Sequence, residues 1–347
     1  MAPPASLPTV KLGKTGVRIP KLGFGMMGLS LAYGSVGTME DRLAVLDRAW
    51  ELGSTNWDSS DFYGDSEELI GRWFALHPER RADIFLATKF AAKMTITETG
   101  EMATSADCSP EYTRAACERS LKRLGIESID LYYIHRLDGK TPIEVTMKTL
   151  QELKREGKIR GIGISECSAA TLRRAYKIEP VEAVQVEYNP WQLDIENSVG
   201  THLLAACREL GVTVFAYSPL GRGFLTGQIR TIDDFAPDDF RRVVPRFSPE
   251  NFPKNLVLAD KFKAMAAAKG CTSGQLALAW LMAQGPDIVP IPGTKKIGYL
   301  EENIGAVNVS LSAEEEKEIR AKIETMDIAG TRAPVGFFTQ FADTPEL

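Results

Sequence analysis

Four side chains of complementary acid–base character sit where short apolar runs give out. Asp58 falls near the end of the run Ser54 to Ser59, Lys89 closes Ile84 to Lys89, His135 closes Ile129 to His135, and Tyr63 follows Asp58 by five residues. A carboxylate, an ammonium, an imidazole and a phenol brought together can hold and move a proton at an oxygen that is gaining charge. A phenol has an unperturbed pKa of about 10, so Tyr63 needs a neighbouring cation to work near neutrality. Lys89 would supply it. At about 4 Å and an effective dielectric near 20 such a pair is worth roughly 4 kcal/mol, an upper figure of about three pKa units. Asp58, paired with Lys89, would hold the ammonium in place and cancel part of that effect. Each residue also has a plain structural role open to it: Asp58 as a helix cap, Lys89 as a solvated strand end, His135 as a core histidine. The convergence of these groups on successive strand ends favours a site. His77 and His202 have no such partners in the sequence.

To meet, these residues need parallel strands that end at one rim. Runs rich in β-branched and aromatic residues alternate with amphipathic segments from about residue 20 to residue 310, the pattern of repeated βα units. The predicted strands are Lys21 to Gly25, Ser54 to Ser59, Ile84 to Lys89, Ile129 to His135, Gly161 to Ser165, Ala183 to Glu187, Thr213 to Tyr217 and Ile288 to Ile291. Helices are expected between them, for example over Ser109 to Leu124 and Pro142 to Glu156. Eight such units close more naturally into a barrel than into an open sheet. The expected fold is α/β, a (β/α)8 barrel spanning residues 1–347 as one domain, with long loops at its C-terminal rim. An N-terminal β-hairpin, Thr9 to Leu12 with Val17 to Pro20, could plug the barrel's bottom. Ala91 to Cys108 and Pro219 to Asn255 are too long for ordinary connections and read as functional loops; a helix over Ser312 to Met326 precedes a tail from Ala329.

Composition narrows the function. Of the 347 residues 41 are basic and 46 acidic, giving a formal charge of −5 without the basic blocks that nucleic acid requires. The N-terminal stretch lacks a signal-peptide pattern and no apolar run is long enough to cross a bilayer, so a cytoplasmic protein without a membrane partner is expected. Five scattered cysteines without a CxxC fit reduced thiols. Three widely separated histidines offer no metal site and argue against a metal-dependent barrel hydrolase. No protein partner or oligomeric interface can be identified.

Taken together, Asp58-x-x-x-x-Tyr63-Gly64, Ala87-Thr88-Lys89, Tyr133-Ile134-His135 and Ile291-Pro292-Gly293-Thr294-Lys295 through Glu302-Asn303 occur in the order found in the aldo-keto reductases, which the chain resembles over nearly its whole length. The runs His135-Arg136, Gly163-Ile164-Ser165-Glu166 and Tyr217-Ser218-Pro219-Leu220-Gly221-Arg222-Gly223 look closest to the branch that includes perakine reductase and related plant, fungal and bacterial members. The resemblance implies NADPH-dependent, reversible reduction of aldehydes or ketones, a small-molecule carbonyl compound being the partner. Tyr63 would give the proton, Lys89 and Asp58 would tune it, and His135 would orient the carbonyl oxygen.

It also implies a cofactor site. Gly23-Phe24-Gly25-Met26-Met27-Gly28 satisfies GxGxxG, but Leu29 to Gly37 is not a helix start and no acidic partner follows, so it is not a Rossmann fingerprint. Its glycines are expected to let backbone approach the nicotinamide, with Met27 nearby. Gly293, Thr294 and Lys295 precede a helix and suit a phosphate; by resemblance they grip the 2′-phosphate of NADP(H), with Glu302 and Asn303 at the adenine. Tyr299 stands where family members often carry Arg. By resemblance Tyr217 stacks on the nicotinamide, Ser165, Glu166 and Gln185 meet its carboxamide, and Ser218, Leu220 and Gly223 line the pyrophosphate, to which Arg222 and Arg246 could add a clamp. Glu166 replaces the commoner Asn, and its charge is expected to favour the oxidised, cationic nicotinamide. Phe62, Phe90, Met94, Trp191, Phe337 and Phe338 could wall an apolar substrate pocket, or be packing. The alternative function is a redox-sensing subunit resembling the potassium-channel β-subunits, which hold NADPH and turn over slowly.

Overall fold

The computed structural model describes residues 5–96, 102–334 and 336–347. Its centre is a parallel sheet of eight strands: Phe24–Gly25, Asn56–Asp58, Phe85–Phe90, Leu131–Ile134, Ile162–Ser165, Ala183–Glu187, Thr213–Tyr217 and Ile288–Pro290, each paired with the next in chain order. The ends meet: Gly23 N–H donates to Pro290 O at 2.9 Å, Gly25 N–H donates to Pro292 O at 3.1 Å, and Gly25 bridges Gly293 in parallel. The sheet is therefore a closed barrel. Gly23 and Gly25 of the GxGxxG run lie at this seam. A β-carbon on Gly25 would lie 2.8 Å from Ile291 O and one on Gly293 2.6 Å from Gly25 O. Closure of the barrel is thus by itself a reason for glycine at these positions.

Helices wrap the barrel because their sequences carry both the apolar stripe and the caps. Pro110–Leu124 begins where Ser109 Oγ accepts from Tyr112 N–H and ends at Gly125, whose φ of +64° stops the helix. Ile143–Arg155 buries Ile143, Met147, Leu150 and Leu153 against the strands. Ala313–Glu324, begun by a capping box between Ser312 and Glu315, leads into the tail.

Strand alternation divides the apolar residues into two cores. Leu86, Tyr132, Ile134, Ile164, Val184 and Val214 face the helices, whereas Ala87, Leu131, Tyr133, Ala183, Phe215 and Val289 face the barrel axis. The N-terminal hairpin, Thr9–Lys11 with Arg18–Pro20, adds Val10, Leu12 and Ile19 to that inner core and hydrogen-bonds from Gly13 N–H to Thr213 Oγ1 at 2.7 Å, at the start of a barrel strand. It plugs the bottom, as expected. One long connection differs from expectation: Ala92–Ile96 and Met102–Ala106 pair as an antiparallel hairpin, with residues 97–101 outside the described residues. Pro219 to Asn255 is a chain of short 3-10 turns up to the helix Phe252–Lys269. Among the described residues no helix is long and apolar enough to cross a membrane, no cluster of His, Cys, Asp or Glu could hold a metal ion, and the cysteines are free thiols.

Candidate active site

The period of two that builds the inner core also builds the site. Lys89 lies two residues beyond inward-facing Ala87, His135 two beyond Tyr133, Ser165 two beyond Gly163, Gln185 two beyond Ala183 and Tyr217 two beyond Phe215. Inward apolar residues fill the lower barrel, and the next inward position, nearer the strand ends, is polar. Gly163 makes room for this layer, because a β-carbon there would fall 2.3 Å from the ring of Tyr133.

Lys89 is completely buried, and its ammonium is held by Asp58 Oδ1 at 2.5 Å, Ser59 O at 2.6 Å and Tyr63 Oη at 3.4 Å. Gln185 Nε2 donates to the second Asp58 oxygen at 2.7 Å. Burial alone would lower the lysine's pKa, but Asp58 and Tyr63 outweigh it and the pKa rises, so the site keeps a fixed positive charge. For Tyr63 the balance runs against the sequence expectation. Burial raises its pKa more than Lys89 lowers it, with Asp58 adding to the rise, and the phenol is neutral in this state. His135 is held below its usual pKa by burial first and by Lys89 and Arg136 next, and so is a neutral imidazole. Its ring stands edge-on to Tyr63 with centroids 5.6 Å apart. Its Nδ1 lies 3.0 Å from Ser60 Oγ, which already accepts from Phe62 N–H at 3.1 Å.

The rim beyond strands five to seven holds a second charged cluster. Glu166, with left-handed φ of +53°, takes a two-pronged contact from Arg332 at 2.8 and 3.0 Å and a hydrogen bond from Tyr217 Oη–H at 2.8 Å. Burial would push the Glu166 carboxyl up, but Arg332, with help from Arg136 and Tyr217, brings it down to about 2. Its charge is thus matched by Arg332, whereas the expected redox bias treated Glu166 as an unpaired carboxylate. Glu187 lies 3.4 Å from Arg332 and 3.5 Å from Arg222.

The remaining predicted cofactor residues line the rim but are engaged with protein. Lys295 Nζ donates to Tyr33 O at 2.7 Å and also to Ser35 O, and Thr294 Oγ1 accepts from Lys296 N–H at 3.1 Å. Glu302 Oε1 accepts from Thr272 Oγ1–H at 2.7 Å, and Asn303 is buried on the same helix, Ile297–Gly305. Tyr299 donates to Gln228 Oε1 at 2.7 Å. Met27 opens a short helix and is half-buried; Ser165 is buried at the end of strand five. After strand seven, Ser218, Gly221, Arg222 and Gly223 all have positive φ, from +47° to +91°, and Leu220 lies within that turn. Left-handed non-glycine residues in a rim loop are strained in the manner common to ligand sites. Arg222 Nη1 and Arg246 Nε are enclosed without a hydrogen-bond partner, beside a small, partly open space of about 10 Å³ also lined by Glu187 and Arg332. Arg222 is also ion-paired with Glu187 and Arg246 donates to Gln192 Oε1 at 3.0 Å, so each keeps one enclosed nitrogen to spare; with the strained backbone and the Gly293 to Lys296 turn, this fits a phosphate-bearing dinucleotide across the rim.

Of the expected apolar wall, Phe62 and Phe338 face the site: their centroids are 6.2 Å apart and Phe62 is 6.0 Å from His135. Phe337 packs on Phe338 and Phe240. The others do not contribute. Phe90 faces outward and stacks on Tyr132 at 4.9 Å, Trp191 packs on Phe224 at 4.8 Å, and Met94 is exposed on the hairpin. Three participants were missed in the sequence. Ser60 lies inside the Asp58 to Tyr63 motif and Glu187 is itself a polar strand end, so both carried a usable signal. Arg332, in a tail without periodicity, carried none.

Comparison with known proteins accords with this geometry. The profile of the "Aldo/keto reductase family" matches residues 21–324. A curated protein of Schizosaccharomyces pombe, "Aldo-keto reductase yakc [NADP(+)]", is 51% identical over 346 residues, covering 99% of both chains. "Aldo-keto reductase str7" of Strobilurus tenacellus is 48% identical over 347 residues, covering 98% of this chain and 99% of its own. Among solved structures, the glycerol dehydrogenase AKR11B4 of Gluconobacter oxydans superposes with a TM-score of 0.81 at 28% identity, covering 93% of this chain and 97% of its own. A thermostable aldo-keto reductase solved with the inhibitor epalrestat gives a TM-score of 0.70 at 30% identity, covering 91% and 100%. With the family profile spanning most of the barrel and close relatives matched end to end, the chain belongs to the aldo/keto reductase family.

Proposed function

We propose that this protein reduces aldehydes or ketones to alcohols with NADP(H) as cofactor, Tyr63 giving the proton. The observation that carries the reading is the buried Lys89 ammonium, fixed by Asp58 and Ser59 with its nitrogen 3.4 Å from the Tyr63 hydroxyl. When bound, NADPH supplies the hydride. The protein's part is to receive the negative charge that then appears on the carbonyl oxygen. Tyr63 is protonated and so able to donate. Once it has donated, the Lys89 ammonium stabilises the phenolate: at 3.4 Å and an effective dielectric near 20 the attraction is about 5 kcal/mol, which Asp58 partly offsets. The lysine therefore acts mainly on the charged form of Tyr63, and lowering its resting pKa is not required.

His135 stays neutral and serves as a hydrogen-bond donor. Ser60 Oγ accepts from Phe62 N–H and has its own hydrogen to donate to His135 Nδ1; in this reading the imidazole carries its hydrogen on Nε2. That N–H orients the carbonyl oxygen. The Arg222, Arg246 and Gly293 to Lys296 groups would hold the phosphates, and Tyr217, fixed by Glu166, would back the nicotinamide. The SPLGRG stretch from Ser218 to Gly223 supports placement in the perakine reductase-like branch.

The test is to follow NADPH absorbance with a panel of aldehydes, comparing wild type with Tyr63→Phe. Rapid turnover in wild type that drops by at least about 100-fold in the variant is the expected result. Tight NADPH binding with negligible turnover on every aldehyde would replace this reading with the sensor.

A further inference from the structure

Arg136, the residue after His135, has no work that the reaction assigns to it, yet its position is tightly built. Cys108 Sγ–H donates to Arg136 O at 3.4 Å, and Cys108 N–H donates to Asp138 Oδ2 at 2.9 Å, while Asp138 also accepts from Lys140 and Thr141 N–H at 2.9 and 2.8 Å. The turn that carries the arginine is thereby rigid. Its guanidinium lies 5.5 Å from the ring of Phe338, the same ring that packs on Phe62 beside His135. The cation thus sits over the aromatic wall of the substrate side. It is close enough to Tyr63, His135, Glu166 and Tyr217 to bear on their protonation.

Two of its nitrogens, Nε and Nη1, are sealed from solvent without a hydrogen-bond partner, and no carboxylate lies within ion-pair distance among the described residues. The nearby acids are committed elsewhere, Glu166 to Arg332 and Asp138 to backbone amides. Arg136 is half-buried, but leaving two enclosed guanidinium N–H groups without an acceptor is costly, and at a ligand site their natural complement is a planar anion that accepts two parallel hydrogen bonds.

We propose that Arg136 binds a carboxylate on the substrate, so that the protein prefers carbonyl compounds bearing an acid group, with an aromatic or aliphatic spacer lying against Phe62 and Phe338. This rests on the reductase reading of the site and extends it to a substrate class. Arg136 is a specificity residue here, and the proton path through Tyr63 does not pass through it.

The experiment compares 4-carboxybenzaldehyde, its methyl ester and benzaldehyde as substrates for wild type, Arg136→Met and Arg136→Lys. A charge-assisted contact predicts that wild type favours the carboxylate over the ester in kcat/KM by roughly 10- to 100-fold. Arg136→Met should bring the kcat/KM ratio of carboxylate to ester close to one, whatever happens to turnover of benzaldehyde, and Arg136→Lys should keep part of the preference. Calorimetric binding of benzoate to the NADPH-loaded protein should weaken by at least about tenfold in Arg136→Met. Equal use of acid and ester by wild type, or an undiminished preference in Arg136→Met, overturns the inference while leaving the reductase reading intact. If no aldehyde is turned over, the reductase reading fails and the benzoate titration still decides whether Arg136 binds a carboxylate.

Discussion

Replacing Arg332 by Met leaves Glu166, whose side chain is wholly buried, with Tyr217 Oη–H, a 3.3 Å contact from Glu187 N–H and the more distant Arg136 to hold its charge, and leaves Glu187 with only the longer contact to Arg222. Breaking a buried pair by removing one partner costs about 3–5 kcal/mol, because the orphaned charge stays desolvated. The titration of Glu166 gives a consistent figure: a fall from 4.5 to about 2 corresponds to about 3 kcal/mol. A carboxyl depressed in the fold contributes stability that is present above pH 4.5 and lost as pH falls through about 2. At the usual unfolding entropy per residue, a loss of about 3–5 kcal/mol lowers Tm by about 4–7 °C in a chain of 347 residues. Denaturant and thermal melts at pH 7 and pH 4 measure it. Arg332→Met should lose most at pH 7 and less at pH 4, where its Glu166 can take up a proton. The double variant Arg332→Met, Glu166→Gln should recover more than half of the loss. A single variant within about 1 kcal/mol of wild type at pH 7, or a double variant as unstable as the single, would refute the claim that Arg332 compensates the buried Glu166 charge.

Lys89→Met leaves Asp58 buried with Gln185 as its remaining donor, so stability should fall by about 3–5 kcal/mol and aldehyde reduction by about 100- to 10,000-fold; adding Asp58→Asn should restore stability but not rate, as melts and steady-state assays would show. Asp61, partly buried with Oδ1 enclosed and unpartnered, has its carboxyl raised to about 7 by burial and then by Glu67. Stability from this group is full below about pH 4 and lost as pH rises through about 7, so Asp61→Asn should be more stable than wild type at pH 8 by about 2–4 kcal/mol and flatten that part of the pH–stability curve. Gly25→Ala places a β-carbon 2.8 Å from Ile291 O at the barrel seam and should cost at least about 2 kcal/mol in denaturant unfolding; Gly16→Ala, a glycine at φ +81° with open space around it, should cost less.

The barrel and the reacting quartet were legible because both follow from short-range rules. Apolar runs alternating with amphipathic segments located the strands to within a few residues and put Asp58, Lys89, His135 and Ser165 near strand ends, while Gln185 and Tyr217 were expected by resemblance; the period of two in the folded strands sets Lys89, His135, Ser165, Gln185 and Tyr217 on one inner layer. Spacing within one loop was enough to bring Tyr63 back over Asp58. What escaped the sequence depended on groups distant along the chain. Arg332 reaches Glu166 across 166 residues and cancels a charge that in isolation promised a redox bias. Desolvation, which no local pattern records, decided that Tyr63 and His135 rest neutral. Phe90 and Trp191 have the same apolar character as Phe62 and Phe338, and only their packing partners separate core from substrate wall. Residue type and period thus determined which side chains point inward; burial and long-range charge pairing, which exist only once the barrel has closed, decided what state those side chains are in.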